Sequence, residues 1–364
     1  MIKRIVTIAV LVAAAAAHAQ TAALDARSSR VDSLMRSQVD ANDPGAAVIV
    51  IQNGRVIHQQ GYGLADRQTK LPITATTTFD LASVSKQFTA MAIMMLAERK
   101  KLSYDDPLTK FFPDFPPYAA KITVRHLLTH TSGIADYMEV YEKRFASTKK
   151  EPTSQEARLM LAEIEKPLFE PGVKFQYSNS GYMVLAQIVE KASGQPFPVF
   201  MREGVFAPLG MDRTIVSDQI IAPSRNRAIS YSSGWMGYKV ADYSPLNRIY
   251  GDGNVNTSTE DMFKWDQALY TEKLVKQSTL KEAFTPVRLN DGSSAPYGFG
   301  WRVVDVQGLE VLSHGGGWVG FRTHIIRIPS ERFSVVVLSN RAEFNPRLAA
   351  VRIANVYLGG KLPE

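Results

Sequence analysis

Apolar and polar positions alternate with different periods along the chain. Over 46–63, AAVIVIQNGRVIHQQGYG, two strand-like runs flank Asn53-Gly54, the dipeptide that best supports a type I′ hairpin. Upstream, Leu24, Val31, Leu34, Met35 and Val39 recur among polar residues as on a surface helix spanning Ala22 to Val39. A helix is predicted from Ser83 or Val84 through MAIMMLAERK, and from there to about Gln219 helical patterns alternate with proline-containing loops. Among these are Thr123-Val-Arg-His-Leu-Leu, with Thr123 as N-cap, and Gly181 to Ala192, closing near Gly194. The last third switches to period two. YGFGWRVV, LEVLSH, GFRTHIIRIP and FSVVVLSNR read as strands at hairpin spacing, with Pro329-Ser330 at one turn and an amphipathic helix from Pro346 to Leu358. Strands at both ends and helices between them predict an α+β fold. The N-terminal hairpin and the C-terminal strands form one antiparallel sheet flanked by helices, and a mostly helical lobe, about 86–240, is inserted beside it.

The first residues follow another logic. Lys3 and Arg4 precede an apolar run from Ile5 to Ala17, and Ala17-His18-Ala19 is a small-x-small cleavage site. This reads as a signal peptide over 1–19 ahead of a catalytic domain over 20–364, and the run is too short to span a bilayer. The expected product is exported, periplasmic or secreted, without a stable membrane span. Removing Lys3 and Arg4 leaves 35 acids and lowers the net charge from +7 to +5. The bases are scattered, and Arg99-Lys-Lys101 reads as a solvated face, so no nucleic-acid partner is expected. The chain has no cysteine, which excludes disulfides, thiolate metal sites and a cysteine nucleophile.

Candidate chemistry begins at LASVSKQFTA, residues 81–90. A helix starting at Ser83 places Ser83 and Lys86 one turn apart on the same face, with the serine at the positive end of the helix dipole. A serine hydroxyl needs an adjacent base, and an amine becomes one where burial or a neighbouring cation disfavours its charged form. Phe88, Met91 and Met95 offer that burial. Ser85 has no lysine three residues on and reads as structural. Tyr177-Ser178-Asn179 follows the Glu170-Pro-Gly172 turn: a phenol beside a lysine can pass a proton to a leaving group, and an amide can position a carbonyl. Leu312-Ser-His-Gly-Gly-Gly-Trp-Val-Gly320 lies at a strand end where glycines admit a substrate to the backbone.

S-x-x-K, then Y-x-N, then a basic residue followed by glycines on a late strand resembles, in that order, the serine β-lactamase and penicillin-binding-protein superfamily. The flanks ITVRHLLTHTSG, EPGVKFQYSNSGY and HGGGWVGFRTHIIRIPS resemble its class C-like branch, which also contains D,D-carboxypeptidases, D-amino-acid peptidases and carboxylesterases. The resemblance covers about residues 40–345. It implies Ser83 as the acylated nucleophile, Lys86 and Tyr177 sharing acid/base work, and Asn179, His314, Gly316 and Gly317 contacting substrate. The N–H groups of Ser83 and Gly317 would form the oxyanion hole. No metal or organic cofactor is implied, and the partner is a small-molecule or peptide substrate. Members that hydrolyse β-lactams carry Lys-Thr-Gly where this chain has His314-Gly315-Gly316, and a histidine is mostly neutral at pH 7. The function expected is therefore an exported serine hydrolase acting on ester, D-amino-acid peptide or β-lactam carbonyls, with esterase or peptidase activity ahead of dedicated β-lactamase activity. The alternative is a non-catalytic binder of cell-wall peptide or β-lactam.

Other patterns lack their context. His126 and His130 are four apart on a predicted helix, but without the metalloprotease glutamate they read as packing residues. Gly315-x-Gly317-x-x-Gly320 matches the dinucleotide fingerprint but runs into a strand. No G-x-S-x-G occurs. Asp252, in Gly251-Asp-Gly253, reads either as a residue pointing into the cleft or, the favoured account, as a turn aspartate; Trp318 reads as either a wall of the acyl pocket or sheet packing, and Arg322 as a replacement for the missing lysine charge. Oligomeric state has no signature in the sequence.

Overall fold

The computed structural model describes residues 26–145, 147, 150–217 and 226–364; the signal peptide read in 1–19 lies outside them. A helix over 26–36 (α1) leads into strands β1 (Ala46–Gln52) and β2 (Arg55–Tyr62). Then come β3 (Phe79–Asp80), α2 (Lys86–Glu98), α3 (Val124–Leu128), α4 (Asn179–Ser193), β4 (Ile215–Val216), β5 (Val255–Thr257) and α5 (Thr259–Ala268). The chain closes with β6 (Arg302–Val306), β7 (Leu309–Trp318), β8 (Phe321–Ile328), β9 (Phe333–Ser339) and α6 (Pro346–Leu358).

Six strands form one antiparallel sheet in the order β6-β7-β8-β9-β1-β2, the α+β arrangement the hydrophobic pattern predicts. The N-terminal hairpin joins it by pairing β1 with the last strand, Val50 opposite Val335 and Ala46 opposite Ser339. The hairpin turns at Asn53 and Gly54, with φ of 52° and 72°, the positive pair that a type I′ turn demands. Successive residues face opposite sides. Ala47, Ile49, Ile51, Val336 and Leu338 join the core shared with α2 and α4, while Ala46, Val48, Val50, Val335 and Val337 pack under α1 and α6. Both faces are covered, which is why β9 is buried along its whole length and its middle, Val335 to Leu338, is apolar on both sides, while the buried Ser334 and Ser339 hydroxyls donate to Asp266 and to the Gly45 carbonyl.

Between β3 and β5 the chain is mostly helical. Thr123 caps α3 as expected: its hydroxyl accepts from the His126 N–H, and its own N–H donates to His126 Nδ1. Gly194 ends α4 with φ of 75°. Residues 231–240 form a hairpin rather than a helix, and Tyr231 bridges to Arg341 beyond β9, so this segment attaches to the end of the main sheet. The short sheet β3-β5-β4 pairs Phe79 with Thr257 and Asp80 with Asn256, tying the segment before α2 to the segment before α5. No helix of the described residues is long and apolar enough to cross a membrane.

Under the sheet, Arg327 on β8 donates from Nε to Asp266 Oδ1 on α5 at 2.7 Å, and Ser334 Oγ donates to the same oxygen at 2.6 Å. Both charged side chains are 1% exposed. Removing one partner strands the other as an uncompensated buried charge, at a cost of about 3–5 kcal/mol. Arg327→Ala should therefore lower the thermal midpoint by several degrees in a melt followed by circular dichroism; an unchanged midpoint would show that the pair is dispensable.

Candidate active site

Ser83 stands in a 3₁₀ turn, Ala82–Ser85, that feeds into α2. Before it, Ala82 holds φ of 49°, a left-handed conformation that is sterically costly for alanine. Neighbours hold it there: the Ala82 N–H donates to Asp80 Oδ1 at 2.7 Å, and Thr323 Oγ1 donates to the Leu81 carbonyl at 2.7 Å. Burial pushes the Asp80 carboxyl up to about 6, against the opposing pull of the Ala82 N–H and of Arg227.

Lys86, at the start of α2, is fully buried. Its Nζ donates to Ser83 Oγ at 3.2 Å, to Asn179 Oδ1 at 2.9 Å and to the Asp252 carbonyl at 2.9 Å. All three donors of the ammonium are thus used, on three distant segments. Asn179 opens α4, and its N–H donates to Asp136 Oδ2 at 2.7 Å, which fixes the residue that receives the lysine.

Tyr177 precedes α4 and is 38% exposed. Lys86 Nζ lies 4.9 Å from its ring centre, so the amine and the phenol meet through the ring face. The loop is held by His130, whose Nδ1 accepts from the Ser178 N–H at 3.2 Å and whose ring lies 4.3 Å from that of Tyr177. His130 has φ of 56° and falls beyond the end of α3, so it and His126 do not share the helix face that the sequence suggested. Burial and the Lys86 charge hold its imidazole well below its ordinary value. No cluster of metal-ligating side chains occurs among the described residues.

The glycine run lies inside β7 rather than after it, since Gly317 pairs with Arg322 and Trp318 with Phe321. A Cβ on Gly316 would overlap the Leu81 carbonyl and Thr323 Oγ1 and come 3.1 Å from the Ser83 nitrogen. Glycine there lets the strand close on the turn that carries Ser83. Gly317 lines the same cavity of about 210 Å³ as Ser83, Tyr177, Asn179 and Asp252, with Tyr137, Met138, Leu246, Ile249 and Trp318 as walls. Trp318 is thus a pocket wall, oriented by donation from Nε1 to Asn247 Oδ1 at 2.7 Å.

His314 does not line that cavity. It lines a neighbouring one of about 690 Å³ that shares Tyr177 with the first. Its Nδ1–H donates to the Gly315 carbonyl at 2.8 Å, which leaves Nε2 to accept from the Tyr297 hydroxyl at 2.9 Å. Burial, reinforced by the Lys86 charge, pushes His314 down to about 3, so it is neutral at pH 7. Arg322 donates from Nη1 to the Val319 and Phe321 carbonyls, and it lines neither cavity. Ser85 is buried, with Oγ accepting from the Val255 N–H at 3.1 Å.

Sequence reasoning offered Asp252 as a cleft residue but favoured a turn role, and its contacts with Lys86 and Tyr137 went unforeseen. Its carbonyl anchors Lys86, its Oδ2 accepts from the Tyr137 hydroxyl at 2.9 Å, and the residue lines the cavity. The flanking Gly251 and Gly253 were the only signal, and they mark a turn equally well. Asp136, Tyr137 and Met138 also went unnoticed.

The Beta-lactamase family model matches residues 31–358. The chain belongs to the Beta-lactamase family. That membership makes it a serine hydrolase by class. It is 35% identical over 308 residues to Penicillin-binding protein 4* of Bacillus subtilis (strain 168), a match covering 81% of this chain and 68% of that protein. It is 29% identical over 325 residues to a D-aminopeptidase of Gluconobacter oxydans (strain 621H), covering 87% of this chain and 59% of that one. The chain thus spans about three-fifths of the D-aminopeptidase's length. Among solved structures, an octameric penicillin-binding protein homologue from Pyrococcus abyssi superposes with a TM-score of 0.80 at 27% identity, over 91% of this chain and 77% of that chain.

In this Beta-lactamase-family chain, Gly316→Ala should force β7 away from the Ser83 turn. The expected result is at least a tenfold slower reaction of Ser83 with a fluorophosphonate, with the circular dichroism spectrum of the parent retained. A parental labelling rate would show that the turn tolerates the added methyl group.

Proposed function

We propose that this protein is an exported serine hydrolase that cleaves D-amino-acid amide, peptide or ester bonds through an acyl-enzyme on Ser83. One observation carries the reading: the buried Lys86 amine lies 3.2 Å from the Ser83 oxygen, with its remaining contacts fixed by Asn179 and Asp252.

Ser83 Oγ attacks the substrate carbonyl carbon, and its proton passes into the Lys86–Tyr177 pair, which accepts it on whichever of the two, amine or phenolate, has given up its own proton beforehand. The oxyanion is received by the Ser83 N–H, at the positive end of the Ala82–Ser85 turn and α2, and by the Gly317 N–H on β7. Collapse of the tetrahedral intermediate breaks the bond to the leaving nitrogen or oxygen, which takes the proton. Water then attacks the ester on Ser83, gives a proton to the same pair and releases the acid, and Ser83 recovers its hydrogen. Asn179 holds both Lys86 and the substrate carbonyl.

The neutrality of His314 supports peptidase or esterase work over β-lactamase work. A permanent cation at that position would pair with the carboxylate of a β-lactam, and its absence costs about 1–3 kcal/mol of recognition if the contact is desolvated. The D-aminopeptidase relatives support amino-acid amides as substrates. The leader read in residues 1–19 supports action outside the cytoplasm.

A fluorophosphonate probe should label the wild type and leave Ser83→Ala unmodified. In a panel of a chromogenic cephalosporin, a 4-nitrophenyl ester and a D-amino-acid 4-nitroanilide, kcat/KM for the cephalosporin should be lowest. No labelling of the wild type would favour a non-catalytic binder, and a cephalosporin preference would overturn the reading of His314.

A further inference from the structure

The cavity that holds Ser83 is small and, apart from Asn179 and the Ser83 turn, mostly apolar, walled by Met138, Leu246, Ile249 and Trp318. At about 210 Å³ it lies below the usual range for drug-sized ligands and suits a single amino-acid-sized acyl group. One of the residues lining it carries a carboxylate. Asp252 is 5% exposed; its Oδ2 takes the Tyr137 hydroxyl, and its Oδ1 has no hydrogen-bond partner outside its own residue. A buried carboxylate oxygen without a donor is costly, and native structures rarely leave one so without a use. Lys86, the nearby cation, meets the Asp252 carbonyl rather than its carboxylate, and its three donors are already committed.

Ser83 Oγ and the Asp252 carbonyl oxygen both touch the same Lys86 nitrogen, so they lie within about 6 Å of each other. The α-ammonium of an aminoacyl group is two bonds from the carbonyl carbon that Ser83 attacks. A substrate seated on Ser83 therefore carries its α-substituents into the neighbourhood of Asp252. One of them can be a charged donor and the other an apolar side chain against Leu246, Ile249 and Trp318.

We infer that Asp252 is the receptor for a free α-ammonium, so that the preferred acyl donor is an amide or ester of an apolar amino acid with an unblocked amino group. This rests on the acyl-enzyme reading of Ser83 and narrows it from D-amino-acid carbonyls in general to aminoacyl ones. Acetylating the amine removes its charge and adds bulk beside the carboxylate. Asn at position 252 keeps the backbone carbonyl that holds Lys86 and removes only the anionic partner.

The experiment compares D-phenylalanine 4-nitroanilide with its N-acetyl derivative on the full chain, and reads the ratio of the two kcat/KM values. The wild type should favour the free amine by about tenfold to a hundredfold, the range of a hydrogen bond to a charged group. Asp252→Asn should bring that ratio close to one. A loss shared by both substrates reports on the seat of Lys86 and cancels in the ratio. A wild type without preference for the free amine, or an Asp252→Asn ratio equal to the parent's, would overturn the inference. Fluorophosphonate labelling of Ser83 in the same preparations separates the two readings: labelled protein with an unchanged ratio refutes the role of Asp252 alone, and unlabelled wild type refutes the hydrolase reading beneath it.

Discussion

A lysine with no exposed surface must find an acceptor for every N–H it carries, or its burial is prohibitive. In this chain the acceptors are a serine oxygen one turn earlier, an amide oxygen at the start of α4 and a main-chain carbonyl before β5. Each comes from a different part of the sequence, so the lysine acts as a vertex joining the serine turn, the helical segment and the chain that returns to the sheet. Whatever the substrate, the serine that shares this vertex is held beside an amine in a water-poor setting. Coulombic and hydrogen-bond effects are stronger there than at the surface.

The architecture serves that vertex. The sheet is buried on both faces, and its strand β7 carries Gly316, which allows the Ser83 turn to dock. The turn stores strain at Ala82 and is clamped by Asp80 and Thr323, so the serine oxygen does not wander. Behind Tyr177, the buried His130, also in a left-handed conformation, holds the loop by accepting from the Ser178 N–H. Two left-handed backbone positions thus support the site, one before Ser83 and one beside the Tyr177 loop. Strain of this kind is expected where geometry is maintained for chemistry rather than for stability.

What the sequence made legible was local. Asn53-Gly54, Thr123 and Gly194 name their turns and caps, because each satisfies a backbone requirement within a few residues. The period-two runs gave the strands, and S-x-x-K with Y-x-N gave a family and a serine–lysine pair that the fold brings into contact. The failures were non-local. The contact of the Asp252 carbonyl with Lys86 uses a main-chain atom that every residue has, so no residue type announces it. His126 and His130 looked like neighbours on a helix because helix ends are poorly marked, and α3 stops short of His130. His314 looked like a wall of the serine cavity. Its ring instead joins Tyr297 beside the larger cavity, a partner 17 residues away that periodicity cannot reveal.

The claim on which the account stands is that the Lys86 amine makes Ser83 reactive. Rapid-quench mass spectrometry with peptide mapping tests it directly, following the acyl adduct formed from an activated ester in the wild type and in Lys86→Met. The account predicts an adduct on Ser83 in the wild type that forms at least a thousandfold more slowly in the variant, within the range expected for loss of an activating base. An adduct on another residue, or one forming on Ser83 at the same rate without the amine, would contradict it.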